Sequence, residues 1–131
     1  MTEPVWVTEE DCLSFHEKIL ARFGGAAGVR DGGLLASALA RPQHRFAYEG
    51  ASLVELAATY AHGIVKNHPF LDGNKRTGFL AAALFLEANG IRFNAREEDA
   101  VVQTLALAAG AIGVEEFAAW LKSVSIEVHR S

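Results

Sequence analysis

The residues best suited to chemistry lie in one short stretch, His-Pro-Phe-Leu-Asp-Gly-Asn-Lys-Arg, which runs from His68 to Arg76 and is here termed the motif stretch. His68 can accept a proton near neutral pH, because the imidazole pKa lies close to that range. Asp72 offers a hard oxygen ligand of the kind that Mg²⁺ prefers when the ion also holds substrate phosphates. Gly73 allows the backbone to approach a ligand closely. The motif stretch therefore combines a candidate base with a candidate metal ligand.

Two cations complete the motif stretch. Lys75 and Arg76 directly follow Asn74, which can cap a helix and whose amide can also donate hydrogen bonds. The next residues, 77–88, are almost wholly apolar, which predicts a buried helix that begins near Asn74. The free N–H groups and the positive dipole end of its first turn favour an anion. Because cations are disfavoured there, a nearby phosphate is the best explanation for the two charges. A base, a metal ligand and two cations suffice for phosphoryl transfer.

The residues before the motif stretch are predicted to form three helices. Thr8 can cap the first of them, whose apolar stripe stops at Gly24. Asp31 is the predicted cap of a second helix, which should end at Pro42. Ser52 has a glutamate three positions later, the spacing of a capping box, and so begins the third helix. This third helix leads directly into the motif stretch.

The residues after the motif stretch are also predicted to be helical. The central helix should end at Gly90, and Asn94 has capping spacing for another helix that Gly110 stops. A last helix follows over residues 114–124, residues 47–50 are a candidate for a small β-flap, and residues 126–131 are expected to fray. The prediction is an all-α domain over residues 1–131, a compact bundle of about six to seven helices around a buried central helix.

Composition excludes several classes of protein. The chain has 131 residues, of which 50% are hydrophobic and 21% charged, as in an ordinary globular domain. Its formal net charge of −4, with no basic run beyond the motif stretch, argues against direct nucleic-acid binding. Cys12 is the single cysteine, so neither an internal disulfide nor a cysteine-based zinc site can form. No signal peptide or apolar run of membrane length is apparent, and a cytoplasmic location is expected.

The motif stretch resembles the signature loop of the Fic/Doc superfamily, in its Doc (death-on-curing) form. Four other segments are similar to Doc proteins: Arg22–Gly25, Val29–Asp31, Leu39–Pro42 and Phe85–Gly90. The resemblance extends from about Glu10 to Ser123 and implies the Fic/Doc fold. It also implies a toxin of a toxin–antitoxin module, which phosphorylates a threonine of elongation factor Tu from ATP and thereby halts translation. The implied partner is a small antitoxin that lays a C-terminal segment, disordered until bound, into a groove on the toxin.

The resemblance assigns roles to single residues. The implied catalytic set is His68, Asp72, Lys75 and Arg76, with His68 as the base that activates the hydroxyl and Asp72 as the Mg²⁺ ligand. The implied nucleotide-binding set is Gly73, Asn74, Lys75 and Arg76, to which Lys66 is added from the preceding helix. A plain exposed lysine is the preferred interpretation of Lys66, with a phosphate contact as the alternative. Phe70 is expected to anchor the motif stretch in the core.

Two departures from the general Fic pattern favour a kinase over an AMP-transferring enzyme. Lys75 replaces a glycine and fills space that the AMP-transferring enzymes leave for phosphates. Phe79 stands where the final arginine of that pattern would be, which removes a phosphate contact. Two alternatives stay open at this point. One is a Fic-type adenylyltransferase, and the other is a catalytically weak module that binds an antitoxin for regulation.

Other polar residues carry less specific expectations. His16 lies on the apolar face of the first helix and is expected to be a hydrogen-bonded core residue. Asp31 is expected to be only a cap. His44 and Arg45 could meet a protein substrate, and an ordinary loop is at least as good an interpretation of them.

Overall fold

The computed structural model describes residues 2–127, and within them the chain forms six helices and two short strands. The helices are α1 (Glu9–Phe23), α2 (Gly32–Glu49), α3 (Leu53–Asn67), α4 (Asn74–Ala88), α5 (Glu97–Ala109) and α6 (Val114–Ser123). The strands are β1 (Ile91–Phe93) and β2 (Ser125–Glu127). The predicted all-α bundle is therefore confirmed, with six helices in the described range. No helix in that range has both the length and the apolar character needed to cross a membrane.

Three helices begin where capping side chains predicted. The Thr8 hydroxyl accepts from the Asp11 N–H and the Asp11 carboxylate from the Thr8 N–H, which makes a reciprocal capping box at α1. Ser52 and Glu55 form the same arrangement at α3. The Asp31 carboxylate accepts from the third residue of α2. Each cap satisfies N–H groups that the helix itself leaves free.

The second helix is longer than predicted. Pro42 was expected to end it, but α2 continues to Glu49 and stops only at Gly50, which is left-handed with φ 61°. An internal proline loses one helical hydrogen bond, and burial of Pro42 helps to offset that loss. Arg45, in the second half of α2, donates to the Thr59 hydroxyl at 2.9 Å and so ties this half to α3. The β-flap predicted at residues 47–50 was wrong, because residues 47–49 belong to α2.

A small antiparallel sheet lies where the sequence predicted a helix cap at Asn94 and a frayed tail from residue 126. Strand β1 pairs with β2, with Arg92 opposite Ile126. The Asn94 N–H continues this pairing by donating to Val124 O, and the predicted cap at Asn94 was wrong, because Arg96 stands at the N-cap of α5. Residues 126 and 127 lie in β2 rather than in a frayed tail. The rest of that predicted tail, residues 128–131, lies outside the described residues.

The two innermost helices are α3 and α4. Every residue from 56 to 61 in α3 is buried, and this helix packs against α2, α4, α5 and α6. Helix α4 packs on α3 so closely that a Cβ at Gly78 would lie 2.8 Å from Val65 Cγ2 and 3.1 Å from Ala61 O. The motif stretch joins these two helices, and its ends are therefore held by the best-packed part of the molecule.

Candidate active site

The base predicted from the sequence sits at the end of α3 in an unusual backbone conformation. His68 has φ 50° and ψ 55°, and it is the single non-glycine residue with positive φ among residues 2–127. Its N–H donates to Ile64 O at 3.2 Å, which closes the last turn of α3. The imidazole is exposed, with Nδ1 3.5 Å from the side-chain nitrogen of Asn74. His68 is thus accessible to a substrate while its backbone is constrained.

Asn74 closes the motif stretch on itself. Its Oδ1 accepts from the Phe70 N–H at 3.0 Å, and its Nδ2 donates to Phe70 O at 3.0 Å. The side chain is buried, and both ends of its amide are engaged within the loop. A contact between Asn74 and a nucleotide, as predicted from the sequence, would therefore come from its backbone N–H in the first turn of α4.

Phe70 and His16 anchor the motif stretch in the core. Phe70 is 1% exposed and stacks on the His16 ring, with the ring centroids 3.7 Å apart and the planes inclined by 12°. His16 Nε2 lies 2.8 Å from Asp72 O. A carbonyl oxygen only accepts, so Nε2 carries the proton and donates. His16 is a buried, hydrogen-bonded residue, as the sequence predicted, and it also fixes the backbone of the candidate metal ligand.

The Asp72 carboxylate is exposed and keeps coordination sites free. Oδ2 accepts from the Ala26 N–H at 3.3 Å, and Oδ1 accepts from the Gly73 N–H at 3.1 Å. A carboxylate has about four lone-pair positions, so roughly half remain for a cation. No group of three or more His, Cys, Asp or Glu side chains in residues 2–127 could hold a metal ion by itself. A magnesium ion at Asp72 would have to share its coordination with phosphate oxygens and water, which is its usual preference.

Lys75 and Arg76 lie on the first turn of α4 and border a cavity of about 590 Å³, here termed the groove. Its basic rim consists of Lys18, Arg22, Lys75 and Arg76, and its apolar lining includes Ile19, Phe79, Leu80, Phe93, Val101 and Leu105. The groove lies between α1, α4 and α5. The Phe23 ring makes cation–π contacts with two of the rim arginines, with Arg76 Cζ 4.0 Å and Arg22 Cζ 5.2 Å from the ring centroid.

Lys66 is not brought to this site. Its Nζ donates to Ala108 O at 3.2 Å, at the C-terminal end of α5. The last carbonyls of a helix lack intrahelical partners and carry partial negative charge, which attracts a lysine. The motif stretch thus gathers His68, Asp72, Gly73 and Asn74 with the two cations that follow, and Lys66 serves another contact.

A second segment, to which the sequence analysis assigned no role at the site, supports the motif stretch. This supporting loop, residues 24–31, joins α1 to α2. The Arg30 N–H donates to Pro69 O at 2.6 Å, and the Leu71 N–H donates to Gly28 O at 3.1 Å. The Arg30 side chain adds bonds to the Asn67 and His68 carbonyls. In the sequence, the resemblance of Arg22–Gly25 and Val29–Asp31 to Doc proteins was the signal that could have linked this loop to the site.

Two further polar residues were candidates for contact with a substrate. Arg45 is occupied within the fold, because it bonds Thr59 and also lies 3.4 Å from both Glu49 and Glu55. His44, its neighbour on α2, is exposed. Both belong to a helix rather than to the loop that the sequence predicted.

Comparison with known proteins agrees with this geometry. A model of the Fic/DOC family matches residues 6–86, a range that includes the supporting loop and the whole motif stretch. The chain is 35% identical over 117 residues to "Protein kinase doc" of Escherichia phage P1, covering 88% of this chain and 92% of the relative. It is 44% identical over 97 residues to "Toxin Doc" of Mycolicibacterium smegmatis, covering 72% of this chain and 71% of the relative.

Proposed function

The chain belongs to the Fic/DOC family, and within that family we propose that it is a Doc-type toxin, a protein kinase that uses Mg-ATP. One observation carries the proposal. An exposed histidine and an exposed carboxylate share a tightly held loop that runs into the positive end of α4, where Lys75 and Arg76 add two charges. A protein-bound hydroxyl and a nucleotide phosphate are the reactants that this arrangement suits.

The reaction requires a proton acceptor and charge neutralisation. His68 would accept the proton of a threonine hydroxyl while that oxygen forms a bond to the γ-phosphorus, and the bond from the γ-phosphorus to the leaving ADP oxygen breaks. The first-turn N–H groups of α4, with Lys75 and Arg76, would bind the phosphate oxygens. Asp72 fits a magnesium ion, since its carboxylate is exposed and half of its lone pairs are free. When bound, Mg²⁺ would neutralise charge on the phosphates.

Transfer of the γ-phosphate is favoured over transfer of AMP by the position of Phe79. Its ring packs against Phe93 and Trp120, with centroid distances of 5.3 and 6.4 Å. An aromatic cluster therefore occupies the place where the AMP-transferring pattern has its last arginine. Lys75 adds bulk and charge where that pattern has glycine. The phosphate contacts needed to hold the nucleotide for AMP transfer are thus incomplete in this chain.

We further propose that elongation factor Tu is the protein substrate and that a small antitoxin occupies the groove. Val101 and Leu105, on α5, are about half exposed beside it, which leaves apolar surface for a partner. The basic rim would attract an acidic, amphipathic antitoxin segment. Because Lys75 and Arg76 belong to that rim, a segment bound there would compete with the phosphates. The reaction would take place in the cytoplasm, where the translation factor is found.

ATP labelled at either the α- or the γ-phosphate tests the proposal. The protein, Mg²⁺ and elongation factor Tu are incubated with each label, beside a His68→Ala variant and a His62→Ala control, which changes a histidine outside the groove. Transfer of only the γ-label to elongation factor Tu, lost in His68→Ala and kept in His62→Ala, is the expected result. Transfer of the α-label would make the chain an adenylyltransferase. Absence of both transfers by the folded protein would favour a regulatory binding module.

A further inference from the structure

Arg30 makes side-chain contacts at the point where α3 ends and the motif stretch begins. Its Nε donates to His68 O at 2.7 Å, and its Nη2 donates to Asn67 O at 2.8 Å. The guanidinium group therefore bridges two consecutive carbonyls, one of which belongs to the candidate base. Arg30 is in no ion pair within residues 2–127, where the charged pairs involve Arg45 and Arg96. Its side-chain hydrogen bonds there go to these two carbonyls.

Those carbonyls need a donor. The last C=O groups of a helix have no intrahelical partner, and a cation near the C-terminus also interacts favourably with the helix dipole. A histidine with φ 50° additionally carries backbone strain, which persists only where surrounding contacts enforce it. Two charge-assisted hydrogen bonds from a planar, forked donor supply such enforcement.

The backbone of the supporting loop makes the Arg30 fork rigid. The N–H groups of Arg30 and Asp31 both donate to Pro69 O, at 2.6 and 3.1 Å. Asp31 in turn caps α2, which fixes the following helix. Arg30 is thus attached to the motif stretch through its own backbone on one side of His68 and through its side chain on the other.

We propose that Arg30 is a positioning residue for the reaction, which holds His68 in its left-handed conformation so that the imidazole faces the substrate hydroxyl. The inference rests on the proposed role of His68 as the base. Arg30 would act on the chemical step rather than on nucleotide binding, because its contacts are to the backbone of His68 and Asn67. Loss of these bonds would let the imidazole move by an ångström or more, and misplacement of that size can cost about 100-fold in rate.

The test compares Arg30→Ala and Arg30→Lys with Arg41→Ala, which removes another exposed arginine, one without side-chain hydrogen bonds in the described residues. Arg30→Ala should lower kcat about 10- to 100-fold and change KM for ATP by less than about 3-fold. Arg30→Lys should recover only part of the rate, because an ammonium group lacks the fork. Arg41→Ala should leave kcat unchanged. Equal kcat in the wild type and in folded Arg30→Ala would overturn the proposal.

A spectroscopic measurement separates this proposal from the proposed function. The imidazole resonance of His68 can be assigned among the five histidines by its absence in His68→Ala. Arg30→Ala should shift that resonance, whereas Arg41→Ala should not. If the wild type transfers no phosphate, the shift still reports whether Arg30 positions His68, and an unmoved resonance refutes it. If Arg30→Ala does not fold, kcat and the His68 resonance are measured in Arg30→Lys instead. A kcat equal to that of the wild type, together with an unshifted resonance, would refute the proposal.

Discussion

Two loops meet at the candidate active site and contribute in different ways. The motif stretch supplies side chains that can act on a substrate, above all the exposed His68 and Asp72. The supporting loop contributes mainly through backbone, with bonds between Arg30 N–H and Pro69 O and between Leu71 N–H and Gly28 O. The motif stretch would thus supply the reacting side chains, and the supporting loop would hold them in position. Changes at the exposed His68 and Asp72 of the motif stretch should lower activity without loss of stability, and changes in the supporting loop should affect both.

The largest effect is expected from His68→Ala. Removal of a general base typically costs about 100-fold or more in kcat. The imidazole is exposed, so the free energy of unfolding should change little. Steady-state phosphorylation tests the expected loss of kcat, and thermal unfolding of the same preparation tests the expected stability. A large loss of stability would show that His68 belongs to the supporting framework, against the division of roles between the two loops.

Gly25→Ala should be the most damaging small change in the supporting loop. Gly25 has φ 122°, and a Cβ there would lie 2.9 Å from Asp72 Oδ2. Gly24 is the matched control, because it has φ 81° but nothing within 4 Å of an added Cβ. Gly24→Ala should cost about 1 kcal/mol through backbone strain, and Gly25→Ala roughly 2–3 kcal/mol together with a loss of activity.

Denaturant unfolding of the two glycine variants gives the comparison directly. The difference between them reports the contacts of the added Cβ with Asp72 and with Leu20 Cδ2, which would lie 3.1 Å away, since both variants bear the strain of positive φ. Equal free energies of unfolding and equal activities would mean that the supporting loop does not fix the Asp72 carboxylate.

A moderate effect is expected where α3 and α4 hold the ends of the motif stretch. Gly78→Ala places a Cβ 2.8 Å from Val65 Cγ2 and 3.1 Å from a backbone oxygen. The better helix propensity of alanine offsets part of this overlap, so we expect a net loss of about 1–2 kcal/mol. Gly32→Ala, with nothing within 4 Å of the added Cβ, should be neutral or stabilising. Thermal unfolding of both variants tests whether the helix contact is as close as described.

The smallest effect is expected from Thr104→Val. The Thr104 hydroxyl is buried and has no hydrogen-bond partner within residues 2–127. Its removal should stabilise the fold by about 0–1 kcal/mol, because an unsatisfied buried group is costly. Thr59→Val is the contrast, since the Thr59 hydroxyl donates to Glu55 O and accepts from Arg45, and its loss should destabilise by about 1–2 kcal/mol. Calorimetry measures the free energy of unfolding of both variants. A change of the same sign in both would contradict the difference in hydrogen bonding between the two threonines.

The sequence predicted those parts of the fold that local signals determine. Helix starts at Thr8, Asp31 and Ser52 depend on side chains within three residues of the helix, so a short pattern suffices. The motif stretch was found for the same reason. Pro42 misled the prediction, because packing of α2 on α3 outweighs the local cost of an internal proline.

Long-range contacts could not be predicted from local patterns. The pairing of β1 with β2 joins segments about thirty residues apart, each only three residues long, which is too short for a sustained alternation. Lys66 lies two residues before the motif stretch, but its amine reaches a carbonyl of α5, which no spacing rule indicates. The supporting loop acts largely through N–H and C=O groups, which every residue type carries.

The intact mass of elongation factor Tu, measured after incubation with this protein and Mg-ATP, tests whether the protein is a kinase with His68 as its base. We expect the addition of one phosphoryl group, on a threonine, which the wild type catalyses and His68→Ala does not. An added AMP group, or a phosphoryl group that the His68→Ala variant transfers as fast as the wild type, would contradict it.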